Sequence, residues 1–445
     1  MIPELVNARF VRNAVERLEQ IAGDFMPELI RTEATDEATA MITRRMLQRL
    51  RRDETLWADD SLFWMPHDAD AALVQGSLEE YYERNEWVRE TEDDWGEELV
   101  MPPEAALMWQ VGVPLLNLTA TPMTAHPKWV LALLAMAKKQ QRGIAPFPDN
   151  RKHLFQMSET ARMVLFGDWG SGLKPAQKLA KEVWDHHCLP ELNQKREVHV
   201  VHLGDVYFAG LERDYRKRFL RYWPVPGHYH YLHGNVYSWC LTGNHDMYSG
   251  GHEYFKMLKD ARFQEQKQAS YFRIENSSWQ IFGLDTSFDP IDLRGENGDL
   301  YGEQAGWLAQ VRDEKKKCVL LTHHQPFSGY RSTPERLERQ LRPILTGDNT
   351  TAWFWGHEHL CAQYHKHANI NFPILLGHGG FPQVPKSMSA GLPSASFEWT
   401  DTMKWNHLWT ILKFGFAVLD FDKDRIHVHF FDLDGKQQGS YWMIK

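Results

Sequence analysis

Side chains of metal-binding type are concentrated in five short segments of this chain. These are Gly167-Asp168-Trp169-Gly170, Gly204-Asp205, Gly243-Asn244-His245-Asp246, His323-His324 and Gly356-His357-Glu358-His359. Hydrolysis of a phosphate ester near neutral pH needs a hydroxide as attacking group and cover for the negative charge that develops on the phosphoryl and leaving oxygens. Two cations roughly 3.5 to 4 Å apart supply both, by lowering the pKa of a shared water and clamping the phosphate. Such a pair calls for a carboxylate that can bridge, together with neutral imidazoles that leave the ions Lewis-acidic. An oxygen and nitrogen donor set without thiolate suits Mn, Fe or Zn better than Mg or Ca. Two divalent or trivalent ions are therefore the expected cofactors, and a phosphate ester the expected substrate.

Each segment ends a hydrophobic run: MVLF before Gly167, VHVVHL before Gly204, SWCLT before Gly243, CVLLT before His323 and AWFW before Gly356. Continuous apolar runs of this length read as strands buried on both faces, each delivering its polar tip to one edge of a sheet. Between them lie helical patterns over 175–188, 211–222, 253–260, 303–316 and 334–341, which gives α/β layering around a mixed sheet. The tail from 408 to 444 alternates apolar and polar residues around an Asp434-Gly435 turn, and reads as antiparallel strands closing a second sheet.

In these residues the chain resembles the calcineurin-like metallophosphoesterase superfamily, whose motifs are D-x-H or D-x-G, G-D, G-N-H-D/E, a strand-terminal His and G-H-x-H. Residues 162 to about 380 carry all five in order. The resemblance implies a two-sheet αββα sandwich, a dinuclear centre and a phosphomonoesterase or phosphodiesterase that uses a metal-bound hydroxide for in-line attack. It further implies that Asp205 bridges the ions, that Asp168 and His359 hold one, and that Asn244, His357 and the His323 position hold the other. His245 would be the general acid beside the leaving group, with Asp246 orienting its ring.

Two positions depart from the pattern. Gly170 stands where most of the superfamily has a histidine. The Asp-Trp-Gly version is similar to purple acid phosphatases, which supply a tyrosine three residues after the second Asp; here that residue is Phe208, and Tyr207 precedes it. On a strand, a shift of one residue sends the side chain to the opposite face, so Tyr207 is expected to pack rather than to bind metal, unless a bulge intervenes. The His323-His324 pair leaves open which ring is the ligand; His323 directly follows the apolar run, and His324 lies two before Pro326. Lesser candidates are His378 in LLGHGG, the cluster His228, Tyr229, His230, Tyr231, His233, and Tyr330 with Arg331 as contacts for a substrate phosphate.

The chain has 445 residues, 43% of them hydrophobic and 24% charged, which excludes a disordered chain and predicts more than one unit. Residues 1–155 hold 26 acidic against 17 basic residues, the whole net charge of −9; the remaining 33 and 33 cancel. That balance carries no strong nucleic-acid signal. We expect an acidic, mainly helical N-terminal domain over 1–155 and the phosphoesterase domain over 156–445. Within the former, an apolar stripe runs from Val11 to Ile21, helices begin near Thr35 or Asp36 and at Pro127, and the arginines 44 to 52 form a solvated face. The acidic stretch from Glu79 to Glu98 is either a docking surface for a protein partner or an exposed helix and loop. A catalytically weak scaffold or partner-binding protein on the same fold is the alternative, because Gly170 removes a ligand. Cys188, Cys240, Cys318 and Cys361 are expected as buried free thiols. No secretory leader and no apolar membrane segment are apparent, so a cytoplasmic location is expected.

Overall fold

The apolar runs become two sheets of strands that end at a common edge. A computed structural model describes residues 12, 15, 37–53, 68–84, 143–227, 235–288, 298–332, 336–345, 350–367, 369–405 and 409–443. All of the stripe from Val11 to Ile21 except Val15, the helix expected from Pro127, the histidine cluster 228–233 and most of the acidic run 79–98 lie outside the described residues.

The strands are β1 (Phe155–Gln156), β2 (Arg162–Phe166), β3 (Val198–His202), β4 (Val236–Cys240), β5 (Phe272–Glu275), β6 (Trp279–Gly283), β7 (Lys317–Thr322) and β8 (Thr350–Trp355). They continue with β9 (Cys361–Tyr364), β10 (Phe372–Leu376), β11 (Ala395–Glu398), β12 (Thr402–Trp405), β13 (Trp409–Leu412), β14 (Gly415–Asp422), β15 (Arg425–Asp432) and β16 (Gln437–Met443). One sheet has six strands in the order β16-β15-β14-β2-β3-β4, the other eight in the order β1-β5-β6-β7-β8-β10-β9-β11, and β12 and β13 form a separate hairpin. The expected two-sheet α/β sandwich is borne out. The alternating tail joins β2 antiparallel through β14, with Leu419 opposite Met163, so it completes the sheet that begins at the first motif.

A single apolar layer fills the space between the sheets. Met163, Leu165, Val201, Trp239, Leu419 and Val428 from the six-stranded sheet cluster with Ile274, Ile281, Leu321, Phe354 and Ile374 from the other, all fully buried. Each such side chain stabilises the fold by roughly 1.5–3 kcal/mol. Helices cover the outside. On the six-stranded sheet, the segment Lys174–Glu182 continues as a wider helical turn over Val183–Cys188, where His187 packs on Phe416 and Phe431. On the eight-stranded sheet, Trp307 of the helix Gln304–Val311 packs on Tyr271 and Phe282. That helix was expected to reach residue 316; it stops because Asp313 caps a turn instead, its side chain accepting from Lys315 N and its carbonyl from Lys316 N.

Register aligns the strand tips. Phe166 lies opposite His202 and His202 opposite Cys240, while Thr322 and Leu375 both flank Trp355. Where the sheets meet, Gly167 N donates to Leu376 O at 3.1 Å and Gly379 N to Gly167 O at 3.0 Å. All five motif loops therefore leave parallel strands at the same edge.

The chain divides into two compact units, residues 1–144 with 248–250, and residues 145–247 with 251–445. In the first, helices span Glu37–Arg52 and Ala69–Arg84. Arg49 forks onto Asp68 and also meets Asp70, and the arginines at 45, 49, 51 and 52 are exposed. The four cysteines are buried and unbridged. Among the described residues, no helix is long and apolar enough to cross a membrane.

Candidate metal centre

The loops that follow β2, β3 and β8 turn sharply enough to place their side chains on one point. Asp168, Asp205, His357 and His359 all adopt left-handed backbone, with φ of 57°, 74°, 70° and 50°, a conformation non-glycine residues hold only where the surroundings impose it. Close approach is possible because Gly243 lacks a side chain: a Cβ there would fall 2.0 Å from Asp205 Oδ1.

On one side of the centre, Asp168 Oδ1 lies 3.3 Å from His359 Nε2. The Tyr207 hydroxyl joins them, 3.1 Å from Asp168 Oδ1, 3.0 Å from His359 Nε2 and 3.4 Å from Asp205 Oδ2. On the other side, Asn244 Oδ1 lies 3.1 Å from His323 Nε2 and 3.0 Å from His357 Nδ1. His323 Nδ1 donates to Leu203 O at 3.0 Å, which fixes the tautomer and leaves Nε2 as a lone pair, the usual arrangement of a metal-binding histidine. That nitrogen is also 3.5 Å from Asp205 Oδ2, so one carboxylate oxygen of Asp205 faces both sides.

The electrostatics fit a bound cation. Asp168, Asp205 and His323 each offer a donor atom, all within 4.8 Å of one another, and His323, His324 and His357 do the same. Burial, reinforced by the charges of Asp168 and Asp246, pushes Asp205 well above the usual carboxylate range. Burial likewise raises the Tyr207 phenol, with Asp168 and Asp205 adding to it, and it holds His323 well below the usual imidazole range. Acids crowded against lone-pair nitrogens in a dry site repel one another, and positive charge at their focus reverses the penalty.

The structure brings Asp168, Asp205, Asn244, His323, His357 and His359 together, and it corrects two expectations. Tyr207 faces the site instead of packing away from it, because β3 ends at His202 and residues 207–209 form a turn in which strand alternation no longer applies. Gly170 pairs with Val206 there, and a Cβ on it would lie 2.8 Å from Val206 Cα; the backbone leaves no room for a histidine.

The second correction concerns Asp246, which does not orient His245. The His245 ring donates from Nδ1 to Phe208 O at 2.6 Å. Asp246 Oδ2 instead accepts from Gly243 N at 2.7 Å and Asp205 N at 3.0 Å, and its Oδ1 accepts from the Tyr215 hydroxyl. It ties two metal-site loops together, a role that left no signal in the sequence because its partners are backbone amides. Burial pushes its carboxyl up to about 7.

Other candidates sit apart from these contacts. His378 is buried edge-on against Trp399 at 4.4 Å, and burial lowers it to about 3. The Tyr330 hydroxyl donates to Glu398 at 3.0 Å, and Arg331 lies 3.6 Å from Glu358. Sequence reasoning passed over Glu358, which accepts from Ser328 Oγ at 2.5 Å, and Phe381, whose ring lies 4.7 Å from Tyr207 and 4.9 Å from His359. It also passed over His202, whose Nε2 accepts from Trp169 N at 3.3 Å beside Asp168.

Comparison with known proteins points to a phosphoesterase family. Residues 161–361 match the family model described as calcineurin-like phosphoesterase. Tartrate-resistant acid phosphatase type 5 of Rattus norvegicus is 28% identical over 252 residues, covering 52% of this chain and 75% of that protein. The Mus musculus protein of the same name is 29% identical over 245 residues, 50% of this chain and 73% of that one. Among solved structures, a purple acid phosphatase from yellow lupin (Lupinus luteus) seeds aligns with a TM-score of 0.43 at 15% identity, over 66% of this chain and 55% of its own. The resemblance read from the five motifs is borne out, and with it the reading of the chain as a metal-dependent phosphoesterase.

Proposed function

We propose, from its calcineurin-like phosphoesterase domain, that this chain hydrolyses phosphate mono- or diesters at a pair of cations shared through Asp205. Asp168, Tyr207 and His359 would hold one ion, and Asn244, His323 and His357 the other. When bound, such a pair supplies Lewis acidity toward the phosphoryl oxygens and a lowered water pKa. Donors limited to oxygen and nitrogen favour Mn, Fe or Zn.

The protein's own groups do the remaining work. His245 donates its Nδ1 proton to Phe208 O, which presents Nε2 as the position that carries a proton to the leaving oxygen. Asp246 keeps the Asp205 and Gly243 backbones in register by accepting from both amides. The observation that carries the reading is the convergence of buried Asp168, Asp205 and His323 donor atoms within 4.8 Å. The scaffold alternative started from the ligand missing at Gly170, and the Tyr207 hydroxyl 3.1 Å from Asp168 favours the enzyme.

The experiment is Asn244→Ala assayed on an aryl phosphate mono- and diester with added Mn. Turnover is expected to fall by at least about 100-fold, on the scale of losing a group that stabilises transition-state charge. Undiminished turnover of both esters overturns the proposal.

A further inference from the structure

Two consecutive histidines follow β7, and the reading above uses one. We infer that His324 is a third imidazole on the Asn244 side, so the two cation positions are unequal: five protein donors (Asp205, Asn244, His323, His324, His357) against four (Asp168, Asp205, Tyr207, His359). The inference rests on the two-cation reading and goes beyond it in naming the stronger position.

Geometry carries it. The His323, His324 and His357 rings have centroids 5.0, 5.1 and 4.7 Å apart, and their donor atoms lie within 4.8 Å of one another. Imidazoles bound at about 2.0–2.1 Å to one ion, at angles near tetrahedral, put their centroids about 5 Å apart. Both neighbours can face the same point because β7 ends at Thr322 and the chain bends through 323 and 324.

The His324 ring is also held as a ligand would be. Its Nδ1 lies 3.1 Å from Thr286 Oγ1 and 3.4 Å from Ser287 Oγ, and its amide donates to the same Thr286 oxygen at 3.1 Å. Thr322 Oγ1 donates to His324 O at 2.8 Å. Gly298 presses on the other side, where a Cβ would fall 2.4 Å from His324 Cβ. With Nδ1 donating to a hydroxyl oxygen, Nε2 carries the lone pair that a cation would take.

The test is X-ray absorption on the whole chain, stripped of metal and given one equivalent of Zn, with imidazole scattering read out. Three imidazoles are expected in wild type and two in His324→Ala, with first-ion affinity weakened by about 10-fold or more. Two imidazoles or fewer in wild type overturns the inference while leaving the two-cation reading intact. Failure of wild type to bind Zn at all would overturn both. The wild-type count decides the matter even where His324→Ala does not fold, and His324→Gln serves as the second variant for affinity.

Discussion

The Tyr207 hydroxyl lies 3.1 Å from Asp168 Oδ1, on the side of the centre that Gly170 leaves without a side chain. A phenol two residues after Asp205 thus reaches both Asp168 and His359. Tyr207→Phe removes one donor and keeps the ring that packs on His245 and Phe381. We expect the second ion to bind about 10- to 100-fold more weakly, the scale of a lost supporting contact, while the fold is retained. Metal titration by calorimetry reads this, and two unaltered binding steps would remove Tyr207 from the donor set.

Restoring the superfamily's commoner residue should harm the site. In Gly170→His the new Cβ would meet Val206 Cα at 2.8 Å and Asp205 O at 2.9 Å, both backbone atoms that cannot swing aside. The Asp205 loop must shift, so lower melting temperature and poorer metal retention are expected together. A variant that binds metal more tightly than wild type would refute this account of Gly170.

His245 should matter in proportion to how poor the leaving group is. Its Nδ1 is committed to Phe208 O, so His245→Gln removes the Nε2 proton donor without touching an assigned metal donor. A kcat loss of about 10²–10⁴ is expected, shrinking for aryl esters whose phenols are acidic enough to leave unaided. A loss that is uniform across a leaving-group series argues against the general-acid role.

Asp246 makes the metal-free protein pH-sensitive in a defined sense. Burial raises its carboxyl to about 7, against about 4 in an unfolded chain. Its contribution to stability is therefore complete below about pH 4 and is lost as pH rises through about 7. The buried imidazoles of His202, His323 and His378, held low by burial, act oppositely and lose stability as pH falls from about 6.5. Comparison with metal-free Asp246→Asn isolates the carboxyl: from pH 5 to 7.5 the melting temperature of wild type should fall relative to that of the variant. A constant gap would mean that Asp246 is already ionised at pH 5.

The positions of the donors were legible because each follows an apolar run that could only be a buried strand, and the tips of parallel strands with matched register share an edge. Tyr207 was misjudged because the alternation rule was carried past His202, where the strand has stopped. The partner of His245 is a backbone carbonyl, which any residue at 208 would supply, so no side-chain pattern could point to it. Sheet order was equally hidden: β14 pairs with β2 across more than two hundred residues, and the alternation of Phe416 to Phe421 fixes its faces but not its neighbour.

The proposed chemistry requires a pair of ions. After loading with Mn or Zn and removal of excess, elemental analysis of the wild-type chain should give close to two metal ions per chain, lost in parallel with hydrolysis on chelation and regained with it. A chain that hydrolyses phosphate esters with no bound metal, or that retains none after loading, would contradict the central claim.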